Sequence, residues 1–279
     1  MKDIVACLIT SFILLSISTR LSTASPSPSP IAHVYQNKRS GSSNLTQVYD
    51  KCSMEKSFTL TFDDGPGEFS TKLDETLSSN KARASFFLNG NNYGCIYQYA
   101  DIMVKRFEAG HLLGSHTWSH VHLNQATYEQ IHLQLELLEK AFIMILGWKP
   151  LWFRPPFGEY NDLVLQVLSE RGYKGLVLWT EDSKDSATPA PEISTQIAAF
   201  NTYPPKTNLL NHETLKATAL DVMPKALPNL VKHALKLVTV SECLGLATDP
   251  KEWYQYVGTP TPRNASWTCN GTPGPGKFA

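Results

Sequence analysis

No sign of charge dominates this 279-residue chain: 25 lysines and arginines stand against 25 aspartates and glutamates, a formal net charge of zero. Without a basic surplus it lacks the electrostatic footprint that nucleic acid or an anionic bilayer selects, so neither is expected as a partner. Long apolar runs are also scarce. The one at Ile4–Ile17 is short for a membrane span of about 20 residues. It follows Lys2 and leads into Ser22-Thr23-Ala24, small residues of the kind signal peptidase accepts, so residues 1–24 read as a secretory signal peptide. No apolar stretch at the C-terminus marks a lipid anchor. Cysteine is sparse, five in all, and Cys7 falls in the leader. The other four, Cys52, Cys95, Cys243 and Cys269, are an even number on an oxidising route, which implies up to two disulfides with three pairings open. Sequons at Asn44, Asn264 and Asn270 lie outside the dense central region, as glycan acceptors of a secreted protein should.

What is present is an alternation. Residues 25–50 begin SPSPSP and read as an extended leader; residues 246–279 form a second Pro/Gly-rich extension. Between them, residues 51–245 carry short β-rich runs at Phe58–Phe62, Ala84–Leu88, Leu112–Ser115, Leu151–Arg154, Leu176–Trp179, Asn208–Asn211 and Leu237–Val240. Helical patterns separate them, at Thr71–Lys81, Ile96–Glu108, Asn124–Leu146, Asp162–Arg171, Glu192–Phe200 and Ala217–Ala234. The clearest is Asn124–Leu146, where Ile131, Leu135, Leu138, Phe142 and Ile145 recur at spacings of three and four. Parallel strands need crossovers between them, and no Gly-rich phosphate fingerprint follows the first strand. The expected fold is therefore α/β: one domain, a deformed (β/α) barrel of about seven parallel strands.

In such barrels chemistry sits at the C-terminal ends of the strands. There the sequence puts its ionisable outliers: Asp63-Asp64, Ser115-His116, Arg154, Asp182 with Asp185, and His212. Adjacent carboxylates at the end of a buried strand repel each other, and a cation resolves the conflict by absorbing one of them. His116 and His120 in SHTWSH, four apart, would project to one side of a helical turn. Two imidazoles and a carboxylate leave an open position on zinc. A lone pair of histidines at that spacing is more often incidental; the Asp-Asp pair due on the same face is what raises it to a metal site. A free carboxylate, a cation that lowers the pKa of water to about 7, and an imidazolium together meet the needs of amide hydrolysis.

TFDDGP, SHTWSH, RPPFG, the EDSKD stretch and LLNHE, in that order, resemble the five motifs of the polysaccharide deacetylases (carbohydrate esterase family 4, the NodB-like domain) over roughly Cys52–Cys243. KLVTVSECLG and the following EWY are similar to fungal chitin deacetylases in particular. The resemblance implies a divalent metal, most often zinc with cobalt possible, held by Asp64, His116 and His120. It implies Asp63 as catalytic base paired with Arg154, and His212 as general acid oriented by Asp185. It also implies an oxyanion contact from the Phe157 N–H, with Phe157 where the family often has Tyr, and an acetyl pocket lined by Leu210. The implied activity is removal of acetyl groups from N-acetylglucosamine units of chitin or chitooligosaccharides outside the cell or in its wall. The alternatives are a weakly active chitin-binding relative, or a deacetylase of peptidoglycan or acetylxylan.

The fourth motif departs from the pattern: Ser186 follows Asp185 where the family usually has Trp. Among the aromatics, Trp148, Trp152 and Trp179 read as core, whereas Tyr93, Tyr97 and Tyr160 fall on loops where rings could stack on sugars. His122 reads as a packing or capping residue. Because first and last strands adjoin in a closed barrel, Cys52 is expected to pair with Cys243, which leaves Cys95 for Cys269. Nothing indicates an oligomer, so a monomer is expected.

Overall fold

The structure is a computed structural model that describes residues 45–232 and 235–278. The expected signal peptide, most of the leader, Asn44 and His233 lie outside the described residues. In chain order the elements are β1 (Val48–Tyr49), β2 (Ser57–Asp63), α1 (Ser70–Ser79), β3 (Ser85–Leu88), α2 (Ala100–Glu108), β4 (Leu112–Ser115), α3 (Tyr128–Leu146), β5 (Trp148–Pro150) and β6 (Trp152–Phe153). There follow α4 (Asp162–Glu170), β7 (Gly175–Val177), β8 (Glu181–Asp182), α5 (Ile193–Ala199) and β9 (Thr207–His212). A π-helical turn at Ala217–Val222 then runs into α6 (Met223–Lys232), before β10 (Lys236–Leu237), α7 (Val240–Cys243) and β11 (Tyr254–Tyr256).

The principal sheet has the order β1-β7-β6-β4-β3-β2-β9-β8, with β10 added to the start of β2, and all its pairings are parallel. It curls into an open half-barrel, the deformed (β/α) barrel expected. Its centre is β2, SFTLTFD, buried at every position. Its residues alternate, and both faces are covered: Phe58, Leu60 and Phe62 enter the hydrophobic core, while Thr59, Thr61 and Asp63 are buried on the other face with hydrogen-bond partners. Pairing of β2 with β3 and β9 brings Asp63 level with Phe87 and His212.

Among the described residues nine strands make the sheet, where the sequence suggested about seven. The additional ones, β1 and β8, have two residues each, too few to show a period. β1 lies inside the expected leader, so the folded domain begins before residue 51. The C-terminal extension is also folded against the domain. β11 pairs antiparallel with β5, Trp253 is fully buried, and Val240, expected in the last strand, instead opens α7 behind a Thr239–Glu242 capping box.

Helix α3 begins at Tyr128, later than the expected start at Asn124. Residues 123–125 form a 3-10 turn, Ala126 is extended, and Thr127 caps the helix by accepting from Gln130 N–H while Gln130 Oε1 accepts from Thr127 N–H. Its five periodic apolar residues are all buried, each worth about 1.5–3 kcal/mol. It ends at Gly147 with φ 78°, where a Cβ would stand 2.1 Å from the Gly258 carbonyl oxygen. Only glycine meets both demands.

The structure joins Cys52 to Cys243 and Cys95 to Cys269. The first bridge closes a 191-residue separation beside β10 and the start of β2. Removing it as Cys52→Ala/Cys243→Ala is expected to lower the unfolding free energy by about 2–5 kcal/mol, through restored denatured-chain freedom. Denaturant unfolding checks this; an unchanged midpoint would contradict it.

Candidate active site

Asp63 and Asp64 leave β2 in different directions because Asp64 adopts a left-handed backbone, φ 73°. Asp63 faces the half-barrel interior, where its Oδ1 accepts from Arg154 Nη1 at 3.0 Å. The guanidinium is fully buried, and its other donors reach Thr61 Oγ1, the Val177 and Leu178 carbonyls and Asn208 Oδ1. It cannot swing without abandoning several partners. Burial pushes the Asp63 carboxyl above the ordinary carboxylate range, against the pull of Arg154.

The next residue of the turn, Gly65, has no room for a side chain: a Cβ would lie 1.8 Å from Glu213 Oε1. Glu213 is fully buried and accepts two bonds from Arg106, Nη1 at 2.9 Å and Nη2 at 2.7 Å, and one from the Ser70 hydroxyl. Arg106 also donates to Asp74 through Nε at 2.8 Å. This charged cluster fastens α1 and α2 beneath both the Asp63-Asp64 turn and His212, and the sequence reading missed it. One signal was available: Arg106 lies three residues beyond buried Met103, on the core-facing side of α2.

Asp64, His116 and His120 come together. His120 Nε2 lies 3.2 Å and His116 Nε2 3.6 Å from Asp64 Oδ1, and one ligand atom from each residue falls within 4.8 Å of the others. The route differs from the expected helical turn. After Ser115 ends β4, residues 116–120 form an irregular loop in which Thr117 (φ 71°) and His120 (φ 54°) are left-handed, which bends the chain until the imidazoles converge.

These residues fit a divalent cation. Asp64 Oδ1 is buried and accepts no hydrogen bond despite its neighbours. His116 Nδ1 lies 2.7 Å from the Arg154 carbonyl oxygen, which can only accept, so the proton sits on Nδ1 and the Nε2 lone pair is free. Burial lowers both imidazoles to about 3, keeping them neutral as ligation requires. Burial, then the charges of Asp63, Asp185 and Glu213, raise Asp64 to about 7 against the pull of His212: a carboxylate short of positive charge.

Across the cleft, His212 Nδ1 is 2.7 Å from Asp185 Oδ1, while Asp185 Oδ2 accepts from the His212 N–H and the Thr218 hydroxyl. Burial opposes the charge on His212, but the hydrogen bond and charge of Asp185, with Asp63 and Asp64, raise it to about 9. Asp185 itself, against the cost of its own burial, is held below the usual carboxylate range by His212 and Thr218.

The cleft has a volume of about 390 Å3. Phe157 and Leu210 line it with the ionisable groups, and so does Ser186, on the exposed rim where the bulkier residue is missing. Three aromatic expectations change. Trp179, read as core, stands in the cleft wall; Tyr97, read as a sugar platform, is buried against Trp118 and Trp267. Tyr160 is exposed and is not among the lining residues, whereas Tyr93 is. Asp182 lines the cleft and shapes its loop by accepting the Lys184 N–H. His122 packs as expected, stacked on Phe157 at 4.0 Å and bonded to Glu159.

With fold and cleft in view, similarity to known proteins is specific. Residues 50–176 match the family described as polysaccharide deacetylase. A chitin deacetylase from Pestalotiopsis sp is 32% identical over 250 residues, 85% of this chain and 82% of that one. One from Arthroderma benhamiae is 32% identical over 213 residues, 75% of this chain and 56% of that longer protein. The solved chitin deacetylase of the fungal pathogen Colletotrichum lindemuthianum superimposes with a TM-score of 0.70 at 29% identity, covering 76% of this chain and 96% of that one. The chain belongs to the polysaccharide deacetylase family, whose members are metal-dependent hydrolases.

A histidine whose folded pKa is raised stabilises the fold fully below its unfolded value and loses that contribution as pH climbs through the folded one. For His212 the window runs from about 6.5 to about 9. In metal-free protein, stability is expected to fall across this window, with the His212 NMR titration near its upper end. Asp185→Asn should flatten the slope and move the titration down; a His212 midpoint unmoved by that change would contradict the pairing.

Proposed function

We propose that this chain is a secreted, divalent-metal-dependent deacetylase that hydrolyses the N-acetyl groups of N-acetylglucosamine units in chitin or chitooligosaccharides, releasing acetate and leaving chitosan. The observation that carries the reading is the divergence of the two adjacent aspartates, one onto Arg154 and the other toward two imidazoles, with His212 held by Asp185 opposite. The names of the relatives supply the substrate class.

Asp64, His116 and His120 would hold the cation, and two imidazoles with one carboxylate favour zinc, with cobalt able to use the same donors. When bound, the cation supplies a Lewis acid and lowers the pKa of water to about 7. Asp63, fixed by Arg154, is the base that takes a proton from the attacking water. The Phe157 N–H would donate to the developing oxyanion, a kind of contact worth about 3–4 kcal/mol per good donor. His212 Nε2 protonates the departing glucosamine nitrogen, while Asp185 holds the ring through Nδ1. Leu210 packs on the acetyl methyl, and Tyr93 and Trp179 offer ring faces to neighbouring sugars. Ser186 leaves that wall lower than a Trp would, which favours bulkier acyl groups or looser binding.

Two disulfides support an oxidising compartment, and Asn264 and Asn270 are exposed where glycans would attach. Among the described residues no helix is long and apolar enough to cross a membrane. The enzyme is read as a monomer without a nucleic-acid partner.

Purified protein with defined chitin oligomers is expected to release acetate, to stop when a chelator removes the metal, and to recover with Zn2+. Asp63→Asn should lower kcat about 10^2- to 10^4-fold with the fold intact. Mass spectrometry of the products decides: a folded, zinc-loaded protein that binds the oligomers and releases no acetate would be a binding protein instead.

A further inference from the structure

The loop joining the two imidazoles has a second set of partners, drawn from the end of the chain. Trp118 Nε1–H donates to Thr272 Oγ1 at 3.0 Å and to the Pro273 carbonyl at 3.1 Å. Gly276 N–H donates to the Ser119 carbonyl at 2.6 Å, and the Ser119 hydroxyl donates to the Lys277 carbonyl at 2.6 Å. Gln134 of α3 braces the same spot, its Oε1 accepting from Ser119 N–H and its Nε2 donating to Ser119 Oγ and the Lys277 carbonyl. On the other flank, Asn91 Nδ2 donates to the Pro273 carbonyl while Gly90 and Asn91 N–H donate to the Trp118 carbonyl. The disulfide from Cys95 to Cys269 anchors this tail segment three residues before Thr272. Trp267 adds packing against Tyr97, with Arg263 over its ring.

We propose that Cys269–Lys277 is a strap that presets the 117–120 turn for a divalent cation, so that metal affinity depends on the tail and on the bridge that fastens it. The proposal rests on the metal reading of Asp64, His116 and His120. Its physical basis is the backbone of the turn. Thr117 and His120 are left-handed without being glycine, a conformation that persists only where surrounding contacts over-determine it. Trp118 and Ser119, between them, are buried, and much of their polar bonding goes to the strap. Release the strap, and the turn spreads over other conformations. A ligand that needs a partly populated conformation binds more weakly in proportion to that population. The strap residues are therefore positioning residues: they touch the ligand loop and not the cation.

Zn2+ affinity and zinc loss to a chromogenic chelator are measured on the full chain for wild type, Cys95→Ser/Cys269→Ser and Ser119→Ala/Thr272→Val, with thermal midpoints of the metal-free forms. The strap variants are expected to bind zinc about 10- to 100-fold more weakly, the range typical of lost support around metal ligands. Cys52→Ala/Cys243→Ala, at the opposite ends of the strands, should lower the midpoint and leave zinc affinity alone, separating positioning from general stability. Should the cysteine variant fail to fold, the Ser119→Ala/Thr272→Val chain carries the test. Tight wild-type binding with strap variants within about twofold of it would overturn the strap and leave the metal reading standing. A folded wild type that takes up no zinc would overturn the metal reading and the strap with it.

Discussion

Two neighbouring carboxylates buried at the end of a strand repel each other, and the rest of this site follows from how the fold separates them. A left-handed residue at Asp64 turns the second acid away from the first. Asp63 is then neutralised by a guanidinium fixed by donors to four other partners. Among the described residues Asp64 pairs with no lysine or arginine and lies instead against two imidazoles that burial keeps neutral. The same burial that makes the pair costly is what a bound divalent ion would relieve at Asp64 under the proposed reading.

Support for this arrangement comes from well outside the cleft. The Arg106–Glu213–Asp74 cluster sits under the turn after β2 and beside His212, so helices α1 and α2 help set where Asp63 and His212, the proposed base and acid, stand. Breaking one partner of such a buried pair strands the other charge, which is typically far more costly than the pair's net worth. Glu213 and Gly65 are matched in shape as well, since the carboxylate occupies the volume a side chain at residue 65 would need. At the other side, the C-terminal segment does for the histidine loop what this cluster does for the aspartates.

Much of this was legible in the sequence, for physical reasons. β3 and β4 are short and mostly apolar, β2 alternates Phe and Leu with hydroxyl residues, and α3 announces itself by period and capping box. The proposed catalytic side chains stand out as ionisable residues at strand ends. What stayed hidden was non-local or left-handed. β1, β8 and β11 exist through pairing with distant strands, not through any pattern in two or three residues. Arg106 and Glu213 are 107 residues apart, and no local rule links them. Four-residue spacing of His116 and His120 suited a helix, yet two left-handed residues reach the same convergence by another path. Tyr93 and Tyr160 show the limit for aromatics: both are exposed loop residues, yet only the first lines the cleft.

The central claim is a cation seated on Asp64, His116 and His120 while Asp63 remains unliganded on Arg154. X-ray absorption and diffraction at the zinc edge on zinc-loaded protein address it directly. One zinc is expected per chain, with a nitrogen from each histidine at about 2.0–2.1 Å, an Asp64 oxygen at about 2.0–2.2 Å, and no bond to Asp63. Zinc bound elsewhere, or Asp63 in its coordination sphere, would contradict the division of labour between the two aspartates.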